Sequence, residues 1–208
     1  MGRWEPDAAG RLVEAALELF AEHAYEQTTV ADIAQKAGVT ERTFFRYYAD
    51  KREVLFAGAN LLEEGIVASI AAAPPEEPPF DAVVAAIAST AGTALESRRE
   101  FARRRASVIA SNASLQEREL LKLAALGAAA SAALRDRGAT GEEAELAAEA
   151  GVALFKIGFE RWIASPDSPS IADCVQAAAR GLRTVVAAKE IGAKETGAKT
   201  TAARGIES

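Results

Sequence analysis

The chain has 208 residues, 50% of them apolar and 26% charged, with a formal net charge of −6, a composition that suits one compact domain or a small module fused to a larger one. A single cysteine, Cys174, excludes an intramolecular disulfide framework, and a single histidine, His23, removes most metal sites and most Ser/His or Cys/His catalytic pairs. No apolar run reaches the roughly 18 residues of a membrane span, because Pro74 and Pro75 cut short residues 66–73, and MGRWEPDAAG has no apolar signal core, so a cytoplasmic location without a membrane partner is expected.

Nearly every ordered stretch repeats at helical spacing and almost none alternates, which predicts an all-α fold. Over residues 7–22, Leu12, Ala16, Leu19 and Phe20 make one face, while Glu14, Glu18 and Glu22 recur on another; His23 falls at the C-terminal end, where an imidazolium suits the helix dipole. Thr29-Val-Ala-Asp32 is a capping box that opens a short second helix ending at Ala37-Gly38. Gly38 supplies a turn, Val39 an apolar plug, and Thr40 the cap of a short third helix running to about Tyr48, together a helix-turn-helix pattern over about residues 29–48. Asp50 then caps a fourth helix over 51–73, and PPEEPP at 74–79 breaks the chain.

Helices follow over 80–96, 99–111, 115–137, 142–164 and about 170–189, with Cys174 as a small packing residue in the last. The tail IGAKETGAKTTAARGIES, low in large apolar groups, is expected to be disordered. The predicted organisation is a helix-turn-helix domain over 1–50, a larger helical domain over 51–189, and a tail over 190–208.

The segment TERTFFRYYADKR, 40–52, concentrates aromatics and bases. At about 100° per residue from Phe44, Tyr48 lies near 40° while Arg42 and Arg46 lie near 160° and 200°. The third helix should therefore turn Phe44 and Tyr48 inward and Arg42, Thr43, Phe45 and Arg46 outward. From Ile33 to Arg52, five bases (Lys36, Arg42, Arg46, Lys51, Arg52) face two acids (Glu41, Asp50), a local +3 in an acidic protein. Screening over about 8 Å lets such a patch meet phosphate whatever the distant net charge.

The run Thr28-Thr-Val-Ala-Asp-Ile-Ala-Gln-Lys-Ala-Gly-Val-Thr-Glu-Arg-Thr-Phe-Phe-Arg-Tyr-Tyr-Ala-Asp-Lys51 strongly resembles the DNA-binding domain of the TetR family of bacterial transcriptional regulators, over about residues 8–60. The rest of the chain is similar only in layout. The resemblance implies an all-helical homodimer, an N-terminal domain that binds a double-stranded DNA operator, and release when a small-molecule effector enters the C-terminal domain, as in a repressor. It further implies that Thr29 and the first turn of the second helix meet phosphate, and that Arg42 and Thr43 reach base edges, Arg42 as a bidentate donor to guanine. Phe45 stands where the family commonly has a tyrosine, so an apolar contact such as a thymine methyl replaces a hydrogen bond; Tyr47 stands at a frequent histidine and offers its hydroxyl to phosphate. Tyr48 replaces the usual core phenylalanine, and Lys51 would grip phosphate at the start of the fourth helix.

One short recognition helix reads few base pairs, so two-fold pairing is expected. Ile171, Val175, Ala178, Leu182 and Val185 recur at helical-seam spacing, and Gly151, Leu154, Gly158 and Trp162 stripe the preceding helix; these are the expected dimer interface, with an intrachain core as the alternative. The arginine run RREFARRR, 98–105, reads either as an anion site or as a solvated face pairing with acids of the first helix. No Walker loop, GxGxxG or GxSxG motif occurs, and no cofactor, metal ligand or catalytic residue is assigned. The competing reading is a helical small-molecule carrier or enzyme in which the helix-turn-helix is incidental; the sequence itself names no effector.

Overall fold

The computed structural model describes residues 7–164, 166, 167 and 169–203, with side chains as far as residue 187. Among the described residues there are nine α-helices and no strand: α1 (Ala8–His23), α2 (Val30–Lys36), α3 (Glu41–Tyr47), α4 (Ala59–Ala72), α5 (Pro79–Leu95), α6 (Arg99–Ala110), α7 (Ala113–Asp136), α8 (Gly141–Ala164) and α9 (Ile171–Ala203). The starts are written in the side chains. Capping boxes pair Thr29 with Asp32 and Thr140 with Glu143, and Ser170 caps α9 beside Asp173; each hydroxyl accepts the amide three residues on, at 3.1, 3.3 and 3.1 Å. Asn112 caps α7 by accepting from Ser114 and Leu115.

Two expected elements differ. The fourth helix does not run unbroken over 51–73: Asp50 Oδ1 accepts the Arg52 and Glu53 amides and opens a 3₁₀ turn, Glu53–Phe56, and α4 starts only after Gly58. Glycine inside a helix costs about 1 kcal/mol relative to alanine, so the break falls where continuation is weakest. Taken as one stretch, Glu53–Ala72 has the length and a mean hydropathy (1.5) that would suffice to cross a membrane, although polar residues interrupt its apolar runs; in the fold Val54, Leu55, Phe56, Ile66 and Ile70 are buried in the core. At the other end α9 continues as helix past Lys189 to Ala203, where disorder is expected from the composition; residues 204–208 lie outside the described residues.

The packing forms two apolar centres. In the body, α5 packs against α4, α8 and α9, α7 lies along α4 and α8, and α8 pairs with α9. Trp162, Ile66, Ile70, Ile87, Leu134 and Ile171 are fully buried there. The N-terminal centre gathers Leu12, Leu17 and Phe20 of α1, Ile33 of α2, Phe44 of α3, and Val54, Leu55 and Phe56 of the 3₁₀ turn. Val108 and Ile109 of α6 and Leu115 of α7 join it, so packing does not divide at residue 50 as the expected domain boundary has it.

The α8–α9 contact needs Gly158: a Cβ there would stand 2.9 Å from the Val175 nitrogen and Cα. Alanine would add about 1 kcal/mol of helix propensity, but backbone cannot move aside as a side chain can, and overpacking costs about 1–3 kcal/mol. Gly158→Ala should therefore lower stability in urea titration, while Gly181→Ala on the same pair of helices, with nothing within 4 Å of the added methyl, should leave it unchanged or raised.

Candidate nucleic-acid interface

The turn between α2 and α3 is built by Gly38, at φ 68°, whose amide donates to Gln35 O, and by Val39, whose amide donates to Ala34 O at 2.9 Å and whose side chain packs on the N-terminal core. Arg11 Nε donates to Ala37 O at 3.1 Å and satisfies a carbonyl at the end of α2. Thr40 caps α3, accepting from the Thr43 amide at 3.2 Å, with the two hydroxyls 3.0 Å apart.

The wheel drawn from the sequence is the one α3 adopts. Phe44 is fully buried and Tyr48 is buried, their rings 5.6 Å apart, and the Tyr48 hydroxyl donates to Ala9 O at 3.3 Å. That bond accounts for a tyrosine at a core position, and burial pushes the phenol's pKa up. On the other side Arg42, Arg46, Phe45 and Tyr47 are exposed, Phe45 to 55% and Tyr47 to 41%, and Thr43 is half-buried. Arg46 lies over the Tyr47 ring at 4.9 Å and donates to its hydroxyl at 3.2 Å, so the two side chains are held as a pair.

Thr29 is exposed at the start of α2, but its hydroxyl donates to Asp32 Oδ2 at 2.6 Å while accepting from the Asp32 amide. The bonds from the Thr29 hydroxyl and amide hold the Asp32 carboxyl below its ordinary range. Lys51, expected at phosphate, faces the loop between α1 and α2. Its ammonium donates to Tyr25 O at 2.7 Å, Thr28 O at 2.9 Å and Glu26 O at 3.5 Å, and sits 4.3 Å from the centre of the Tyr25 ring. Tyr25 had no signal in the sequence, because an aromatic in a loop between helices has no periodicity to mark it.

The basic patch is narrower than the charge count implies. Lys36 pairs with Glu18 at 3.0 Å, Arg52 lies 3.6 Å from Asp50, and Lys51 faces carbonyls. Among the described residues no carboxylate pairs with Arg42 or Arg46, which leaves α3 as the source of free positive charge.

The expected dimer stripes are corrected by burial. Gly151, Leu154, Gly158, Trp162, Ile171, Val175 and Ala178 are buried within the single chain: Gly151 faces Val83 and Ile87 of α5, and Gly158 faces Val175. Those stripes hold α8 to α5 and α9, because small residues at helical spacing serve an intrachain contact as well as an interchain one. Leu182 is half-buried and Val185 is 67% exposed. A second stripe on α8, with Leu146 (65%), Ala150, Ala153 and Ile157 (42%), faces outward.

Among the described residues, the pairings of the arginine run lie away from α1. Arg99 bonds Glu96 and the Pro166 and Pro169 carbonyls, Arg103 bonds Glu100 and Ile163 O, and Arg105 bonds Glu119 and Leu55 O. Burial pushes the Arg105 guanidinium's pKa down, and Glu119 pulls it back up. No group of three or more His, Cys, Asp or Glu side chains arranged to hold a metal ion occurs among the described residues.

Comparison with known proteins matches two family models. Residues 12–57 match the bacterial regulatory proteins of the tetR family, and residues 77–187, over half of the chain, match a TetR C-terminal model described as the MftR C-terminal domain. The chain belongs to the tetR family of bacterial regulatory proteins. Among curated TetR-family relatives, the HTH-type transcriptional regulator TcmR of Streptomyces glaucescens is 38% identical over 82 residues, which is 39% of this chain and 36% of TcmR, so the chain matches about a third of that relative's length. Two solved structures share the TetR fold: the SmeT–triclosan complex (18% identity, TM-score 0.56, covering 87% of this chain and 90% of that one) and FadR of Thermus thermophilus with lauroyl-CoA (22%, TM-score 0.50, 83% and 91%).

Adjacent phenylalanines of α3 should respond in opposite ways. Phe44→Ala removes a fully buried ring and should cost about 3–5 kcal/mol, whereas Phe45→Ala should change stability by less than about 0.5 kcal/mol. Urea denaturation of the two variants measures the contrast.

Proposed function

We propose that this TetR-family protein is a sequence-specific DNA-binding transcriptional regulator, a cytoplasmic repressor that works as a homodimer and leaves its operator when a small molecule enters the helical body. The observation that carries the reading is the outer face of α3. It exposes Arg42, Phe45, Arg46 and Tyr47 on a helix that Phe44 and Tyr48 anchor from behind. A short helix with an outward arginine near its N-terminus is built to enter the major groove, where a guanidinium can donate twice to guanine O6 and N7. Arg42 and Thr43 would read base edges; Arg46 and Tyr47, already held together, would meet the backbone; Phe45 would lie against a thymine methyl. At the start of α2, backbone amides near Thr29 are the better phosphate donors, since the Thr29 hydroxyl is committed to Asp32.

Dimerisation through the outward stripe of α8, Leu146, Ala150, Ala153 and Ile157, with the exposed end of α9 at Val185 and Val186, would set two recognition helices for a two-fold operator. Support for an effector comes from fold relatives solved with triclosan and with lauroyl-CoA. Regulation in place of catalysis fits relatives that are transcriptional regulators.

Arg42→Ala should weaken operator binding by about 1–3 kcal/mol, or roughly 5- to 150-fold, and relax preference at one base pair, without loss of helicity. Wild-type affinity in that variant, measured by fluorescence anisotropy, would remove the base-reading role. Leu146→Glu combined with Ile157→Glu should shift the sedimenting species toward monomer and lower operator affinity with it.

A further inference from the structure

Among the described residues nothing covers the outer face of α7, and the face carries almost no charge. Leu120, Leu121, Ala124, Ala125, Ala128 and Ala132 are exposed, the two leucines to 60% and 55%. Lys122, the one ionisable group between Leu120 and Arg135, turns aside to donate to Asn60 Oδ1 on α4 at 3.0 Å. A helix face that meets only water ordinarily carries charged or polar side chains. This one runs on into the outward stripe of α8. The two helices touch at Gly127, where a Cβ would stand 3.0 Å from Glu149 Oε1 and 3.7 Å from Val152 Cγ2. Helices joined by so short a turn run antiparallel, which brings Leu121 level with Ile157, Ala128 with Ala150, and Ala132 with Leu146.

We propose that this face of α7 is part of the contact between two copies of the chain, with α7 of each lying along the outward stripe of the partner's α8. The inference rests on the homodimer reading and adds the helix that completes its surface. A two-fold axis parallel to the helices, between α7 and α8, keeps every residue at its own level. Leu121 then meets the partner's Ile157, Ala128 the partner's Ala150, and Ala132 the partner's Leu146. Alanines at the centre let the helices approach closely, and the leucines and isoleucine fill the ends. Arg135, which gives one bond to Ser131 Oγ at 2.8 Å, comes level with the partner's Glu142, and among the described residues neither is in an ion pair within its own chain. The same axis suits a two-fold operator. Because α7 starts in the N-terminal core at Leu115, an axis parallel to it leaves both N-terminal units at one end, whereas an antiparallel contact of α7 with α7 would put them at opposite ends.

Sedimentation velocity of the full chain without DNA tests the surface apart from any operator. Ala128→Glu and Leu121→Glu should each weaken the dimer by about tenfold or more, because each buries a charge with no partner. Ala85→Glu, at an exposed position of α5, should leave association unchanged, with helicity retained in all three variants. Arg135→Glu should weaken the dimer by about two- to fivefold, and adding Glu142→Arg should return it to within about twofold of the wild type. Wild-type association in both Ala128→Glu and Leu121→Glu, or an equal loss in Ala85→Glu, would overturn the part given to α7. Failure of the double charge reversal to restore association would overturn the pairing of α7 with the partner's α8. A wild-type chain that stays monomeric at about 100 μM would overturn the homodimer reading together with this surface.

Discussion

The corner between α6 and α7 is sunk into the N-terminal core, and the position of α3 depends on it. Val108, Ile109 and Leu115 share that core with Leu12, Phe20, Ile33 and Phe44, so the unit carrying α3 is completed by residues more than fifty positions beyond it. Arg105 adds a polar bolt at the same joint, donating to Leu55 O at 2.7 Å and to Glu119 at 3.1 Å, with its guanidinium 5.0 Å from the Phe56 ring. Burying several apolar side chains at about 1.5–3 kcal/mol each makes this joint expensive to open. The other end of α6 is tied to the body through Arg99 and the Pro166 and Pro169 carbonyls, and through Arg103 and Ile163 O at the end of α8. A 12-residue helix thus spans from the α8–α9 corner to the core beneath α3. The fourth helix expected over 51–73 is interrupted at Ala57–Gly58, and its 3₁₀ part belongs to the N-terminal core.

The acidity of the chain and the exposure of two arginines on α3 are compatible because the acids are spent locally. Glu18 and Glu22 hold Lys36, Asp50 caps the 3₁₀ turn beside Arg52, and Glu53 takes Arg118 in a paired contact with one bond at 2.8 Å. Charges paired in this way set helix positions and contribute little field at a distance, since screening removes most of it within about 8 Å. What remains outward on α3 is Arg42 and the Arg46–Tyr47 pair. In the proposed DNA complex, a weak overall attraction to duplex would leave discrimination to those few side chains.

Much of this was legible before any coordinates. Helical periodicity marks nine helices, and apart from the start of α4 and the end of α9 their ends fall within a few residues, because Pro, Gly and capping residues punctuate them; the α3 wheel separates Phe44 from Phe45 because a helix obeys one angle whatever packs on it. The Thr140–Glu143 and Ser170–Asp173 pairs carry the same signature as Thr29–Asp32 and could have been found with it. Other features were not legible, for a common reason: they depend on what lies across a gap in the chain. Gly158 at helical spacing does not reveal whether Val175 or a second subunit fills the space. Five arginines in eight residues do not reveal that carbonyls at the end of α8, between α8 and α9, and in the 3₁₀ turn receive three of them. A lysine at the expected position does not reveal that its donors face carbonyls of the Tyr25 loop.

Selection of bound duplexes from a random pool by the full chain is the direct test of whether α3 reads duplex DNA from a two-fold assembly. Enrichment of one two-fold symmetric motif, with half-sites spaced to the helical repeat, is the result the account predicts. No enrichment, or a lone asymmetric site bound by a single chain, would contradict it.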